Sequence, residues 1–461
     1  MQSNVQPKYV EQITLVASVI KWSFYATIVG GLAGGATTLF LKILNWSSAR
    51  VGAYPNYYYF LPVAILGSSL MVKWLAPEAE GHGTEKVIEA IHERMGRIPF
   101  IVVPVKLVAT VITLAVGGSA GKESPCAQIG AGISSSVASV LRLDDVDRRK
   151  LVICGISAGF ATVFGTPIAG ALFGVEVLVL GQMFYDVLFP SFVAGIVGYH
   201  VATNFGIVYE RHPACQFPIL TSTSMLEVIL LGIFCGLVAL FLVESMRVAR
   251  KLFHKLGPIH YQALLGGVLV VLIGRFISVN YLGLGLDTIG AGLSGVRLPV
   301  GSVFWKTLAT SITLGCGGSG GDVTPVFFIG TSAGNLFAQL FHEPYVAAFS
   351  GMGMVAMLAG AANTPIAASV LAMELFGPGI APYSTVACMV SFLVVGYRSI
   401  YPSQVLGMQK SASLAGETGR PIGETPAVTV VHREKSLMGV FVKGVKMTRH
   451  QHQKKDNHHD E

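Results

Sequence analysis

Long apolar runs separated by short polar stretches dominate the chain. A helix that crosses the hydrocarbon core of a bilayer needs about 20 apolar residues, so most of these runs are candidates for spanning helices. Several runs are shorter or are interrupted by Gly and Pro, and such backbone lies at membrane depth only where protein buries it or a wet cavity surrounds it. The pattern predicts an all-α polytopic membrane protein. The runs cover about residues 10–45, 57–77, 99–117, 150–181, 187–206, 223–245, 258–280, 303–316, 345–376 and 383–398.

Composition and charge agree with a membrane location. The 461 residues are 52% hydrophobic and 12% charged, against about 25% charged in a typical soluble protein. Lys and Arg are concentrated in residues 144–150, in 247–255 and after Gly407, which predicts that these segments and both termini are cytoplasmic. The net charge of +7 is therefore a topology signal, and we expect no nucleic-acid partner. The polar start, MQSNVQPKYVEQ, does not resemble a cleavable signal peptide.

Catalytic and metal-binding patterns are not found in the apolar runs. There is no HExxH and no cluster of His and Asp, and the six cysteines have no metal-ligand spacing. We therefore expect no cofactor, no metal and no enzymatic activity. The His-rich end, HQHQKKDNHHDE, could bind metal, but a solvated tail is the simpler interpretation.

The chain contains an internal repeat. Residues 106–130 and 306–330 are identical at 13 of 25 positions, at a constant offset of 200. TPIAGALFGVE, which begins at Thr166, matches TPIAASVLAME, which begins at Thr364, and GHGTEKV at Gly81 is echoed weakly by GLGLDTI at Gly283. The blocks follow one order, which predicts a duplicated membrane unit with halves at about 15–205 and 223–400.

The repeated glycine-rich turns suggest the chemistry. Each turn opens into an apolar helix, at Ser124-Pro125 in the first half and at Thr324-Pro325 in the second. A helix N-terminus carries about half a positive charge and unpaired N–H groups, and glycine lets an anion approach them closely. Matched broken segments in two repeats are typical of transporters with a site at the repeat interface. The pattern therefore predicts a site for a small anion.

Several motifs carry a family resemblance. GKESP at residues 121–125 resembles the G(K/R)EGP signature of the CLC family of chloride channels and chloride/proton antiporters. GDVTP at 321–325 stands where that family has GxFxP, and GHGTE at 81–85 where it has GSGIP. Tyr401, in RSIYPSQ, follows in the expected order. The resemblance covers about residues 15–405.

The resemblance implies a fold, an assembly and a set of site residues. The fold is two inverted-topology halves per subunit, in a homodimer with one pore per subunit. Glu123 is expected to be the gate and proton acceptor, whose carboxylate occupies an anion site until it is protonated. The positions expected to line the anion site are His82, Gly83, Gly121, Glu123, Asp322, Val323, Thr324 and Tyr401.

Departures from the motifs leave alternatives open. His82 replaces a serine hydroxyl with an imidazole, which could contact the anion or simply be packed. Asp322 could cap the helix that begins at Thr324, pointing away from the pore, or it could repel anions. The matched pair Lys106 and Lys306 could attract anions at a vestibule or snorkel to the interface.

The transported anion and its coupling follow from the same comparison. The most direct prediction is chloride transport coupled to proton antiport, with a passive chloride channel and a fluoride/proton antiporter as alternatives. Fluoride-exporting members typically carry threonine where this chain has Pro125, which favours chloride. Val177 stands where antiporters usually have an inner glutamate. We expect residues 1–405 to form the membrane domain and 406–461 a short basic cytoplasmic tail.

Overall fold

Helices account for almost all regular structure. The computed structural model describes residues 9–209, 222–341, 343–424 and 429–430. Within these residues there are sixteen α-helices, eight in each half of the chain. The first half contains α1 (Val10–Gly52), α2 (Leu61–Leu75), α3 (Thr84–Glu93), α4 (Val102–Ala115), α5 (Glu123–Val140), α6 (Asp145–Phe164), α7 (Pro167–Glu176) and α8 (Tyr185–Asn204). The second half contains α9 (Ser222–His254), α10 (Ile259–Phe276), α11 (Leu286–Leu293), α12 (Ser302–Gly315), α13 (Val323–Phe341), α14 (Val346–Ala362), α15 (Pro365–Phe376) and α16 (Ala381–Val395).

Four two-residue strands lie outside the helices in the part of the chain that the structure describes. β1 (Val179–Leu180) pairs in parallel with β2 (Val405–Leu406), and β3 (Leu414–Ala415) pairs antiparallel with β4 (Thr429–Val430). Lys410 lies beyond β2, and its Nζ donates to Asn363 Oδ1 and to the Phe392 carbonyl, both at 2.6 Å. The residues that follow position 405 therefore begin packed against the helical domain. The predicted division at residue 405 stays a prediction, and the His-rich end lies outside the described residues.

Six helical segments are long and apolar enough to cross a bilayer, among the described residues. They involve α1, α2 and α8 in the first half and their repeat counterparts α9, α10 and α16 in the second. Shorter apolar helices, among them α4, α7, α14 and α15, lie between them. This division agrees with the interrupted runs of the sequence, because a short helix in the hydrocarbon region needs protein around its ends.

The two halves are related by reciprocal contacts. The Glu176 carboxylate, at the end of α7, accepts the Ala367 N–H of α15 at 2.7 Å. The Glu374 carboxylate, at the end of α15, accepts the Ala169 N–H of α7 at 2.7 Å. Each glutamate thus caps the helix N-terminus of the other half, where a negative charge is stabilised. This matched pair of carboxylates therefore joins the two halves of the chain.

Hydroxyl pairs repeat the same relation closer to the centre. Thr110 of α4 bonds Ser319 at 3.1 Å, and its repeat counterpart Thr310 of α12 bonds Ser119 at 3.0 Å. A contact in which residue i meets j while the counterpart of i meets the counterpart of j is the signature of a two-fold axis. The duplicated unit is therefore folded as a pseudo-symmetric pair.

The matched lysines stabilise the loops that precede α3 and α11. Lys106 Nζ donates to the Gly81 carbonyl at 2.7 Å, and Lys306 Nζ donates to the Gly283 carbonyl at 2.7 Å. Both side chains are fully buried. Neither sequence interpretation fits, because a snorkelling or vestibule lysine would extend its ammonium group to water. The contacts also show that the weak echo between Gly81 and Gly283 is a true repeat relation.

Close helix packing uses the repeated glycines. A Cβ on Gly130 of α5 would collide with the Gly155 carbonyl of α6, and a Cβ on Gly330 of α13 would collide with the Gly353 carbonyl of α14. Small residues at such crossings let helix backbones approach closely in a membrane protein. The five described cysteines are free and buried, as expected of small core residues, and Cys215 lies outside the described residues.

Candidate functional site: two crossed glycine loops

The two glycine loops meet at the centre of the molecule. Gly121 and Gly321 form a short antiparallel bridge in which each N–H donates to the carbonyl of the other residue at 2.7 Å. A Cβ on Gly121 would lie 2.7 Å from Glu123 Oε2 and 2.9 Å from the Thr324 nitrogen, so glycine is required by this approach. The crossing brings the N-termini of α5 and α13 together. Two partial positive charges therefore face one small buried region.

Glu123 extends from the first loop to the helix of the second. It begins α5, and its side chain is 1% exposed. Its Oε2 accepts the Thr324 N–H at 3.0 Å, the Thr324 hydroxyl at 2.5 Å and the Lys122 N–H at 3.1 Å. The carboxylate therefore occupies the donor groups that begin α13, where an inorganic anion would also be held.

Asp322 extends in the opposite direction, from the second loop to the first. It is 1% exposed, and its Oδ1 accepts the Ser124 hydroxyl at 2.7 Å and the Tyr401 hydroxyl at 3.1 Å. Its Oδ2 is buried and has no hydrogen-bond partner among the residues that the structure describes. The interpretation of Asp322 as a cap that points away from the site is wrong, because its carboxylate accepts the hydroxyl of Ser124, at the start of α5, and that of Tyr401, which is expected to line the anion site.

Val323 and Gly83 border the same region. Val323 is fully buried between Asp322 and Thr324, and as the first residue of α13 its N–H has no partner within the helix. Gly83 precedes α3 with φ of 87°, and a Cβ there would lie 2.6 Å from the Ser124 carbonyl. Both the conformation and the close approach require glycine. A third helix N-terminus, that of α3, is thereby packed against the start of α5.

His82 is directed toward α9. Its Nε2 lies 2.6 Å from an Arg250 guanidinium nitrogen, and Arg250 also contacts Glu85 at 3.5 Å. A guanidinium group can only donate, so Nε2 is the acceptor and the ring proton is on Nδ1. That Nδ1 is buried and has no hydrogen-bond partner within the described ranges. His82 therefore contributes an unused donor next to Gly83, while the Arg250 side chain is 46% exposed and links the cluster to solvent.

Sequence reasoning missed two of these residues. Ser124 was not expected to bind a side chain, although it is the repeat counterpart of Thr324 and could have been found by that relation. The sequence places Arg250 only in a basic cluster that is predicted to be cytoplasmic. No sequence signal links it to His82, which is 168 residues away in the chain. Among the described residues, no group of three or more His, Cys, Asp or Glu side chains could hold a metal ion.

These features define a class of protein: a membrane protein built from two pseudo-symmetric halves, with helix N-termini converging on a buried, hydroxyl-lined site. Comparison with known proteins identifies the family. The sequence profile described as "Voltage gated chloride channel" matches residues 63–396. The chain belongs to this CLC family, which is a family of anion transporters with an all-α, inverted-repeat fold.

Individual relatives extend over most of the chain. The chain is 38% identical to "Chloride/fluoride channel protein" from Pseudomonas syringae pv. tomato, over 87% of this chain and 90% of that protein. It is 28% identical to "H(+)/Cl(-) exchange transporter ClcA" from Klebsiella pneumoniae, over 76% of this chain and 80% of that protein. A solved structure described as a CLC-type fluoride/proton antiporter matches with a TM-score of 0.80 at 27% identity, over 84% of this chain and 98% of that one.

Proposed function

We propose that the protein exchanges a small halide for protons across the membrane, with Glu123 as the gate and proton acceptor. The observation that carries this proposal is the Glu123 carboxylate on the N–H and hydroxyl of Thr324. An ionised carboxylate and a halide compete for these donors. Protonation removes the charge of Glu123, which weakens its charge-assisted hydrogen bonds and frees the donors for the anion.

Fluoride is the anion that we propose as preferred, with chloride second. Fluoride holds its water strongly, so it needs several good donors, and the hydroxyls of Ser124, Thr324 and Tyr401 lie at this site. A relative at 38% identity and the solved structure at TM-score 0.80 both carry fluoride in their descriptions. Chloride is supported by Pro125 and by the relative described as a chloride exchanger. This order reverses the preference that Pro125 alone suggested.

The test is flux from proteoliposomes with fluoride, chloride and pH recorded together. We expect proton uptake to accompany halide efflux, with faster efflux of fluoride than of chloride. The Glu123→Gln variant should still move halide, but halide/proton exchange should be lost because the amide neither competes with the halide as an anion nor takes up a proton. Glu11→Gln, which changes an exposed glutamate at the start of α1, is the matched control and should retain coupling.

Three outcomes would contradict the proposal. A reversal potential that follows the halide gradient alone, whatever the pH difference, would make the protein a passive channel. Coupling that survives in Glu123→Gln would remove this residue as the gate. A faster efflux of chloride than of fluoride would exchange the two anions in our proposal.

Assembly and orientation are further parts of the proposal. We propose a homodimer in the inner or plasma membrane, with both termini and residues 406–461 on the cytoplasmic side. Cysteine labelling from outside the cell tests the orientation. A cysteine placed in the basic segment 247–255 should be unreactive to an impermeant thiol reagent in intact cells and reactive after lysis. Chemical crosslinking in the membrane tests the dimer.

A further inference from the structure

Asp322 is a buried carboxylate that the proposed gating by Glu123 does not use. One of its oxygens accepts the hydroxyls of Ser124 and Tyr401, and the other is buried with no hydrogen-bond partner in the described part of the chain. Burying an incompletely paired charge costs free energy. Such a carboxylate therefore tends to be protonated, or to be paired with a ligand that binds reversibly. The described contacts therefore satisfy only one of the two carboxylate oxygens of Asp322.

The charged groups around Asp322 do not pair with it directly among the described residues. Lys106 of α4 and Glu85 of α3 are near enough to interact electrostatically with Asp322. The hydrogen bonds of Lys106 Nζ, however, go to the carbonyls of Ala79 and Gly81. Arg250 of α9 is engaged with His82 and Glu85. Glu123 of α5 carries a like charge and precedes Ser124. The hydroxyls of Ser124 and Tyr401 are thus the direct donors to Asp322.

Those hydroxyls are the groups that an anion would need. Tyr401 was expected to hold the anion, yet its hydroxyl donates to Asp322 Oδ1 at 3.1 Å. A halide and an ionised carboxylate repel each other and accept the same protons, so they cannot occupy this position together. Once protonated, the Asp322 carboxyl is neutral and has an O–H donor of its own.

We infer that Asp322 is a second gating carboxylate, which fills the anion position between Ser124 and Tyr401 until it takes up a proton. This inference rests on the proposed anion-transport function. One proton from water converts the carboxylate to a carboxylic acid, and the halide then accepts hydrogen bonds from that acid and from the two hydroxyls. Release of the proton expels the halide. Because Val177 stands where an inner acid was expected, Asp322 supplies the second titratable carboxyl in the path.

Linkage between proton uptake and anion binding gives the measurable consequence. If binding requires one proton, the apparent Kd of the halide rises about tenfold for each pH unit above the midpoint of the group. Glu123 contributes a similar dependence, so it has to be silenced first. The full-length protein carrying Glu123→Gln isolates the contribution of Asp322.

The experiment is isothermal titration calorimetry with sodium fluoride and sodium chloride between pH 5 and 8, in detergent. The Glu123→Gln protein should show the tenfold rise in Kd per pH unit over part of this range. Glu123→Gln/Asp322→Asn should bind the halide with a Kd that does not change with pH. The matched control is Glu123→Gln/Asp287→Asn, which changes an exposed aspartate in the first turn of α11 and should keep the slope.

Each other outcome decides against the inference. A flat profile in Glu123→Gln, a slope that persists in Glu123→Gln/Asp322→Asn, or no detectable binding of either halide would overturn it. Asp322→Ala replaces the Asn variant if the latter is not monodisperse, and Asp322→Glu should retain the slope. The slope could disappear in Glu123→Gln/Asp322→Asn while the unmodified protein moves halide without protons in proteoliposomes. That combination would refute the proposed exchange and leave Asp322 as a gating carboxylate.

Discussion

The two glycine loops, residues 117–125 and 317–325, are equivalent in backbone and different in their charged residues. Gly121 and Gly321 bond to each other reciprocally. The acids are not at equivalent positions, because Glu123 corresponds to Val323 and Asp322 corresponds to Lys122. Each acid nevertheless bonds the hydroxyl residue of the other loop, Glu123 to Thr324 and Asp322 to Ser124.

This difference shows how two halves with the same backbone can present different chemical groups to a transported ion. A perfectly repeated loop would present the same groups to both halves of a path. Here the acid of the second loop, Asp322, lies one position before the residue equivalent to Glu123. The two carboxylates at the crossing are therefore in different surroundings. The Glu123 carboxylate accepts backbone N–H groups at a helix N-terminus as well as the Thr324 hydroxyl, whereas the side-chain donors to Asp322 are both hydroxyls. The symmetric contacts hold the loops together, and the asymmetric positions carry the proposed proton chemistry.

The largest effect is expected from Gly121→Ala, which tests the shared backbone. The new Cβ would lie 2.7 Å from Glu123 Oε2 and 2.9 Å from the Thr324 nitrogen, so the loops must separate. Overpacking of this kind costs about 1–3 kcal/mol of stability. We expect halide flux in proteoliposomes to fall at least tenfold. Gly31→Ala, on α1 with open space at its Cβ, is the control, and equal flux in both variants would contradict the required close approach.

A smaller and symmetric effect is expected from Glu176→Gln and Glu374→Gln. Each carboxylate accepts two N–H groups of the opposite half, and hydrogen bonds to a charged group contribute about 1.5–3 kcal/mol. Both variants should lower the Tm in detergent, Glu176→Gln somewhat more because Glu176 is the more buried residue. Proton coupling should be unchanged in both. Loss of proton coupling in only one of the two variants would show that the two glutamates do not have the same structural role.

The smallest effects separate the two hydroxyls. Thr324→Val removes a donor to Glu123, and Ser124→Ala removes a donor to Asp322. A charge-assisted hydrogen bond favours the ionised acid, so its loss should make protonation easier and move the pH midpoint upward, by up to about one unit. Thr324→Val should move the midpoint of proton-coupled flux. Ser124→Ala should move that of halide binding in the Glu123→Gln background, and Thr324→Ser should leave flux at the wild-type midpoint.

The sequence by itself determined the membrane class and the repeat, and it singled out Glu123 as the proposed gate. Apolar runs of spanning length were visible without a structure, and 13 identities in 25 positions located the duplicated loops. Two helix starts were also predictable from local sequence, because glycine and proline have strong conformational preferences of their own. The residues are Gly121 and Pro125 in the first loop and Gly321 and Pro325 in the second. A glutamate in such a turn inside an apolar chain was already an outlier that called for a function.

Only the tertiary structure decided where the other polar side chains point. At the start of a helix a shift of one residue turns a side chain by about 100°, so Asp322 and Val323 face different surroundings although they are neighbours. The partners of Asp322 are 198 and 79 residues away in the chain, and those of Lys106 and Lys306 are backbone carbonyls of a preceding loop. Such contacts depend on the packing of whole helices, which no local pattern of residues encodes.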